Sequence, residues 1–434
     1  MNLTKRFTKY VSQNVMGMLG MSMYVLLDAF FIAQAGGANG ITVLNLCLPI
    51  VTLVYGIGSM VGMGAATEYT ILKEQGDEGS KTRFSNAIIW MLLISVVFML
   101  LGFFAPGKVL EVMGGDAEIV AAGVSYMRIF LSCAPIFMIN YVVAAFVRND
   151  NGTTIAMIAM VVSTITCVIS EYIFIFPMKM GLAGAALASV VIPVVSLLIC
   201  TIHFFKKENT LQFKLTMPAI KPLFKACQLG FSAFVAEVSN GITIMVFNFL
   251  ILAIAGNIGV AAYGIVANIA IVANAIYNGI AQGSQPLLSE CYGKNEPKNV
   301  KKLLIMGVVT SLVISAVFYG LIFGFTDLWI SIFNSENSVE LAGYAFSGLR
   351  LYFLGCFFAG FNIVAAGCLG AIEQAKAAFI ASTLRGFVAI SAFACLLAFL
   401  FGFTGIWLAF LAAEAFTSIF AIYFLARFVW KRGK

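Results

Sequence analysis

Charge is scarce in this chain. Only 10% of its 434 residues are Asp, Glu, Lys or Arg, against about 25% in an average soluble domain. A soluble chain that is 61% hydrophobic would lack the polar groups to cover its own surface. Lipid is therefore the expected solvent, and there only helices and closed barrels satisfy their backbones. Barrel strands alternate apolar and polar residues. Here the apolar runs are continuous, as in AIIWMLLISVVFMLLGFF from Ala87, which selects helices. Histidine is nearly absent: His203 stands alone, beside Lys206 and Lys207, with no cluster to make a metal site. Nine cysteines show no metal-ligand or redox spacing and read as small packing residues. A Gly-rich phosphate loop is missing, as are a zinc His-Glu motif and an aspartyl dyad. ATP hydrolysis and intramembrane catalysis are therefore not expected, nor any cofactor, resident metal or nucleic-acid partner.

A spanning helix needs about 20 mostly apolar residues. Twelve such cores are expected, near 14–35, 41–66, 84–104, 119–147, 154–176, 182–204, 226–254, 259–290, 302–325, 341–369, 377–400 and 404–428. The short basic start, Met1 to Lys9, is followed by no small-residue cleavage site, so the first apolar run is expected to be retained. With the N-terminus in the cytoplasm, 21 of the 26 Lys and Arg residues fall on cytoplasmic segments. Lys108 and Lys179 fall outside, and Arg128, Arg350 and Arg385 lie within helices. This follows the positive-inside rule and places both termini in the cytoplasm. The polar stretch from Lys206 to Pro222 divides the helices six and six. The expected organisation is a six-helix lobe over 1–205, a cytoplasmic connector over 206–222 and a second six-helix lobe over 223–434. The fold class is an all-α polytopic membrane protein with two pseudo-symmetric lobes.

The halves match at an offset near 222. Tyr55 aligns with Tyr277, Glu68 with Glu290, Arg128 with Arg350 and Asn140 with Asn362. With one residue of slippage, GLAGAALA from Gly181 aligns with GFTGIWLA from Gly402. Six helices per half make the repeat parallel, about an axis along the membrane normal. Transporters use such repeats, with a substrate path at the repeat interface.

LDAFFIAQAGG in the first span, FVRNDNG after the fourth, SEYIFIFPMKMGLAGAALAS across the fifth and sixth and GIAQGSQPLLSECYG closing the eighth resemble the multidrug and toxic compound extrusion (MATE) transporters. The likeness extends to YFLGCFFAGFNIVAAGCLGAIEQAKAA and GIWLAFLAAE in the second half. It is greatest to the bacterial branch that includes the DNA-damage-inducible subfamily. The resemblance implies two six-helix lobes in a V and export driven by proton or sodium entry. It also implies a multi-pass protein of the bacterial inner (plasma) membrane, with a small-molecule substrate and the lipid bilayer as partners. A monomer is expected.

Carboxylates at membrane depth cost at least about 2.5 kcal/mol, so they should titrate or bind a cation. Asp28 in the first span and Glu171 in the fifth are two such acids, and the resemblance places them on one cavity wall of the first lobe. Tyr24, four residues before Asp28, shares its helical face. Ser189 falls where the family often has a hydroxyl ligand, and Asn140 is a polar neighbour. The family pattern has an Asn four residues before an Asp; this chain has Cys167 and Glu171. A thiol is a poor ligand for sodium, so protons are preferred over sodium as the coupling ion, with a sodium site at Asp28 and Glu171 as the alternative. The proline that commonly bends the first helix is missing from residues 11–27. In the second half, Glu237, Asn240 and Asn248 lie on roughly one helical face, and Asn268, Gln282 and Gln285 decorate the eighth span. These six could line a path for a cationic, amphipathic substrate, although a buried interhelical hydrogen bond explains Glu237 equally well. For Glu414, Glu68 and Glu290, structural pairing is the expected role, and Arg128, Arg350 and Arg385 read as anchors or ion-pair partners. The function expected is a secondary active multidrug exporter. A lipid-linked oligosaccharide flippase, or a channel or receptor without transport, is the alternative.

Overall fold

The computed structural model describes residues 2–215, 217–333 and 338–432. It is helical throughout, with no strand among the described residues. Among the described residues, nine helices are long and apolar enough to cross a membrane. A tenth span is the pair Ala117–Ser132 and Ala134–Asn149, bent by 45°. The bend sits where Pro135 opens the second helix of the pair, because proline supplies no amide hydrogen to the ladder. Two further elements are each long enough for two crossings. Ile220–Gly293 runs for 74 residues, about 110 Å at 1.5 Å per residue, and breaks at Gly256. Ala375–Phe428 has 54 residues and breaks at Gly402. Counted so, the described helices make twelve spans, at the places the hydropathy pattern expects. The first two spans, Leu3–Ile32 and Asn39–Glu74, are joined through a break at Gly37.

The duplication is written into the backbone. Gly37 and Gly256 take φ +57° and +62°, and Gly181 and Gly402 take +57° and +58°, a region that side chains with a Cβ disfavour. Short helices, Pro106–Val112 and Thr326–Phe333, follow the third and ninth spans. The fourth and tenth spans are each started by a side-chain cap. Asp116 accepts from the Ile119 amide at 2.9 Å and Ser338 accepts from the Leu341 amide at 3.3 Å.

By packing the chain forms two units, Ser12–Glu237 and Val238–Lys434 with Met1–Val11. The expected boundary at 206–222 thus differs from the packing division. The start of the seventh span, residues 220–237, packs with the N-terminal unit, and the first turns of the chain pack with the C-terminal unit. Within the N-terminal unit the second and seventh spans touch backbone to backbone. A Cβ on Gly64 would overlap the Ala226 carbonyl, and one on Gly230 would overlap the Met60 carbonyl. Small residues serve this close approach in membranes, where apolar lipid removes the hydrophobic drive between helices. The outer faces carry bare apolar side chains, such as Phe104 at 83% exposure and Phe399 at 88%, as a lipid-facing surface requires. All nine cysteines are free.

Candidate functional site

The first, fifth and sixth spans bring a polar group into the middle of the N-terminal unit. Glu171 is fully buried on the fifth span, Thr153–Ile175. The Asp28 carboxyl faces the Glu171 carboxyl and the Tyr24 hydroxyl as hydrogen-bonding neighbours. Tyr24 and Asp28 meet the site together because they lie one helical turn apart. The Tyr24 hydroxyl pairs at 3.4 Å with Ser189, which in turn donates to the Ala185 carbonyl at 3.1 Å. Cys167 lies one turn before Glu171. Its thiol donates to the Ala188 carbonyl at 3.2 Å, with Glu171 Oε1 at 4.0 Å. One oxygen of each acid, Asp28 Oδ1 and Glu171 Oε2, is buried without a hydrogen-bond partner. An apolar patch of Tyr24, Cys167 and Ala188 packs against Val168, Phe174 and Ile192.

Five of the six expected ion-coupling residues, Tyr24, Asp28, Cys167, Glu171 and Ser189, are therefore neighbours. No described hydrogen bond ties Asn140 to them, and its buried Oδ1 has no partner. Tyr55 and Tyr126, which sequence reasoning passed over, lie within electrostatic range of Asp28. The repeat alignment marks Tyr55 only as a partner of Tyr277 and leaves Tyr126 unmarked, since their relevance to Asp28 depends on the packing of the second and fourth spans. No group of three or more His, Cys, Asp or Glu suited to a metal occurs among the described residues.

The expected substrate residues are divided between the two units. Glu237 belongs to the N-terminal unit, whereas Asn248, Asn268, Gln282 and Gln285 belong to the C-terminal one. The Asn240 side chain lies outside the described residues. Gln285 is buried at 3% exposure, and Asn268 and Gln282 are half-buried. The C-terminal unit instead holds a partly open cavity of about 40 Å³. Its walls include Ser239, Thr243, Tyr263, Asn274, Tyr352 and Phe410, and its charged lining is Arg385 and Glu414. None of the five described among the expected substrate residues lines it. Glu414 is held by Asn362, whose amide nitrogen donates to Oε2 at 2.8 Å, and by Arg385, with Nε 2.7 Å from Oε1. Ser418 donates to Asn362 Oδ1 at 3.0 Å. Arg385 and Glu414 stand within consecutive helices on either side of Gly402, and their opposite charges were available in the sequence. The remaining mid-chain acids pair as expected, Glu68 with Arg83 and Glu290 with Arg6 and Lys294.

The MatE family model matches residues 15–173 and 233–392, once in each half. The chain belongs to the MatE family. As a MatE protein it is a multi-pass membrane transporter and not an enzyme. Multidrug export protein MepA of Staphylococcus saprophyticus subsp. saprophyticus is 29% identical to this MatE chain over 414 residues, covering 94% of it and 90% of the relative. MepA of Staphylococcus aureus (strain NCTC 8325 / PS 47) is 27% identical over 417 residues, with the same shares covered. Among solved structures, a multidrug resistance MATE family transporter of the MOP superfamily in the outward-facing conformation superposes with a TM-score of 0.92. A MOP superfamily transporter from Pyrococcus furiosus superposes with a TM-score of 0.90. Each is 19% identical and covers 100% of this chain and 97% of its own. At that identity they establish the twelve-helix MatE fold.

Proposed function

We propose that this MatE transporter exports amphipathic, cationic small molecules across a bacterial inner membrane by antiport with protons, as a monomer and without a cofactor. The observation that carries the reading is the facing pair Asp28 and Glu171, with one buried oxygen of each left unpartnered. Two ionised carboxylates so close in low dielectric repel strongly. The pair is stable with one proton shared between them, or with a cation bound between their oxygens. A group that must hold one positive charge and can release it to water is what antiport requires. The Cys167 thiol beside Glu171 disfavours sodium, a hard ion that prefers oxygen ligands. Tyr24 and Ser189 position the pair. Asn140 is the further polar group assigned to the coupling lobe.

Glu237, with Asn240, Asn248, Asn268, Gln282 and Gln285, is assigned to recognition of the cationic substrate. The MepA relatives, named as multidrug export proteins, support export of several unrelated compounds. Gradient-driven movement of ethidium in proteoliposomes tests the proposal. Asp28→Asn should abolish transport while the protein still inserts and elutes as a single species. A protonophore should stop wild-type transport, and replacing sodium with potassium should leave it unchanged. Unaltered transport by Asp28→Asn would remove the carboxyl pair from the mechanism, and transport that survives the protonophore but needs sodium would replace protons by sodium.

A further inference from the structure

The cavity of the C-terminal unit has a chemistry opposite to that of the carboxyl pair. Both oxygens of Glu414 are already engaged, Oε2 by the Asn362 amide and Oε1 by Arg385 Nε. The carboxylate is thus held from behind and is not an open acceptor for a cation. Arg385 approaches Glu414 most closely through its Nε, at 2.7 Å. Its two terminal nitrogens make no described hydrogen bond and are not sealed off, and the residue lines the cavity. A guanidinium carries five donors in a fixed fork that matches a carboxylate. Donors left open beside a cavity call for an acceptor.

The local backbone serves the same end. Arg385 lies in a π-helical turn, Leu384–Ala389, within the eleventh span. Such turns widen a helix and recur at functional sites. The lining is also aromatic: Tyr352 and Phe410 stack with ring centroids 4.2 Å apart and planes 6° off parallel, a rigid surface for a planar ligand. Ser239 and Thr243 add hydroxyls from the seventh span.

We propose that this cavity is a binding site for small aromatic carboxylates, with the ligand's ring against Tyr352 and Phe410 and its carboxylate on the terminal nitrogens of Arg385. The site lies wholly in residues of the C-terminal unit and is independent of the Asp28–Glu171 pair. It would let one transporter accept organic anions or zwitterions as well as the cations assigned above.

Equilibrium dialysis of purified protein against benzoate and its neutral isostere benzamide tests the site. Wild type should bind benzoate more tightly than benzamide by about tenfold or more, the range of a charge-assisted hydrogen bond. Replacing both charges together, Arg385→Gln with Glu414→Gln, avoids stranding a buried ion and should erase that preference. Thr243→Phe leaves the ion pair intact, fills the cavity and should abolish binding of both ligands. Asp28→Asn should bind benzoate as wild type does, which separates this site from the coupling pair. Equal affinity for the two ligands in wild type, an undiminished preference in the double variant, unaltered binding by Thr243→Phe, or loss of binding in Asp28→Asn would each overturn the proposal.

Discussion

Asp150 shows how much can rest on a single side chain outside the membrane core. It ends the fourth span, is fully buried, and receives the Lys73 ammonium at 2.8 Å, the Tyr69 hydroxyl at 3.1 Å and the Thr210 amide at 2.8 Å. His203, the only histidine, closes the ring at 2.9 Å. Burial alone would push the carboxyl's pKa up, but His203, Lys73 and Thr210 hold it below the ordinary carboxylate range. A pKa lowered by folding stabilises the protein above the unfolded value, near 3.9, and that contribution fades as pH falls towards the lowered one. Asp150→Asn should therefore lower stability at neutral pH, by about 3 kcal/mol if it behaves as a broken buried pair. Thermal melts in detergent should show the gap between variant and wild type shrinking only below about pH 4. The sequence marks His203 merely as an isolated residue near two lysines. Its partner is 53 positions away, and no periodicity relates them. Asp28 and Tyr24 were easier, since one helical turn puts them on one face.

A tight structural requirement among helices is the crossing of the second and seventh spans. Gly64 and Gly230 meet there with no room for a methyl group. Gly64→Ala or Gly230→Ala would force the two backbones apart, and either should reduce the yield of folded, monodisperse protein on size-exclusion chromatography to a small fraction of wild type. Gly264→Ala and Gly343→Ala are the matched controls, because a Cβ there meets nothing within 4 Å. They should be tolerated, or stabilising by about 0.5–1 kcal/mol through helix propensity. The spans themselves were legible from hydropathy, and the paired breaks at Gly181 and Gly402 coincide with the repeat that aligned their flanking residues. The crossing was not legible. Both glycines sit in apolar runs that contain many others, and only packing tells a glycine in contact from one facing lipid.

The whole chain's orientation follows from its Lys and Arg distribution and can be checked directly. Lys206 and Lys108 are both exposed and are expected on opposite sides of the membrane. In a cysteine-free background, Lys108→Cys should react with a membrane-impermeant maleimide in intact cells. Lys206→Cys should react only after permeabilisation, and the reverse pattern would invert the topology. Composition and hydropathy by themselves determined the helical class and the twelve spans, and charge placement gave the expected orientation, because each reflects the fit of a segment to lipid or water, which is local to that segment. Which helix starts pack with which unit, that Glu414 is tied to Arg385 and Asn362, and that a cavity opens beside them were decided only by the tertiary structure. Those outcomes depend on which faces of distant helices meet, and side-chain contacts between spans are not encoded in the hydropathy of any one of them.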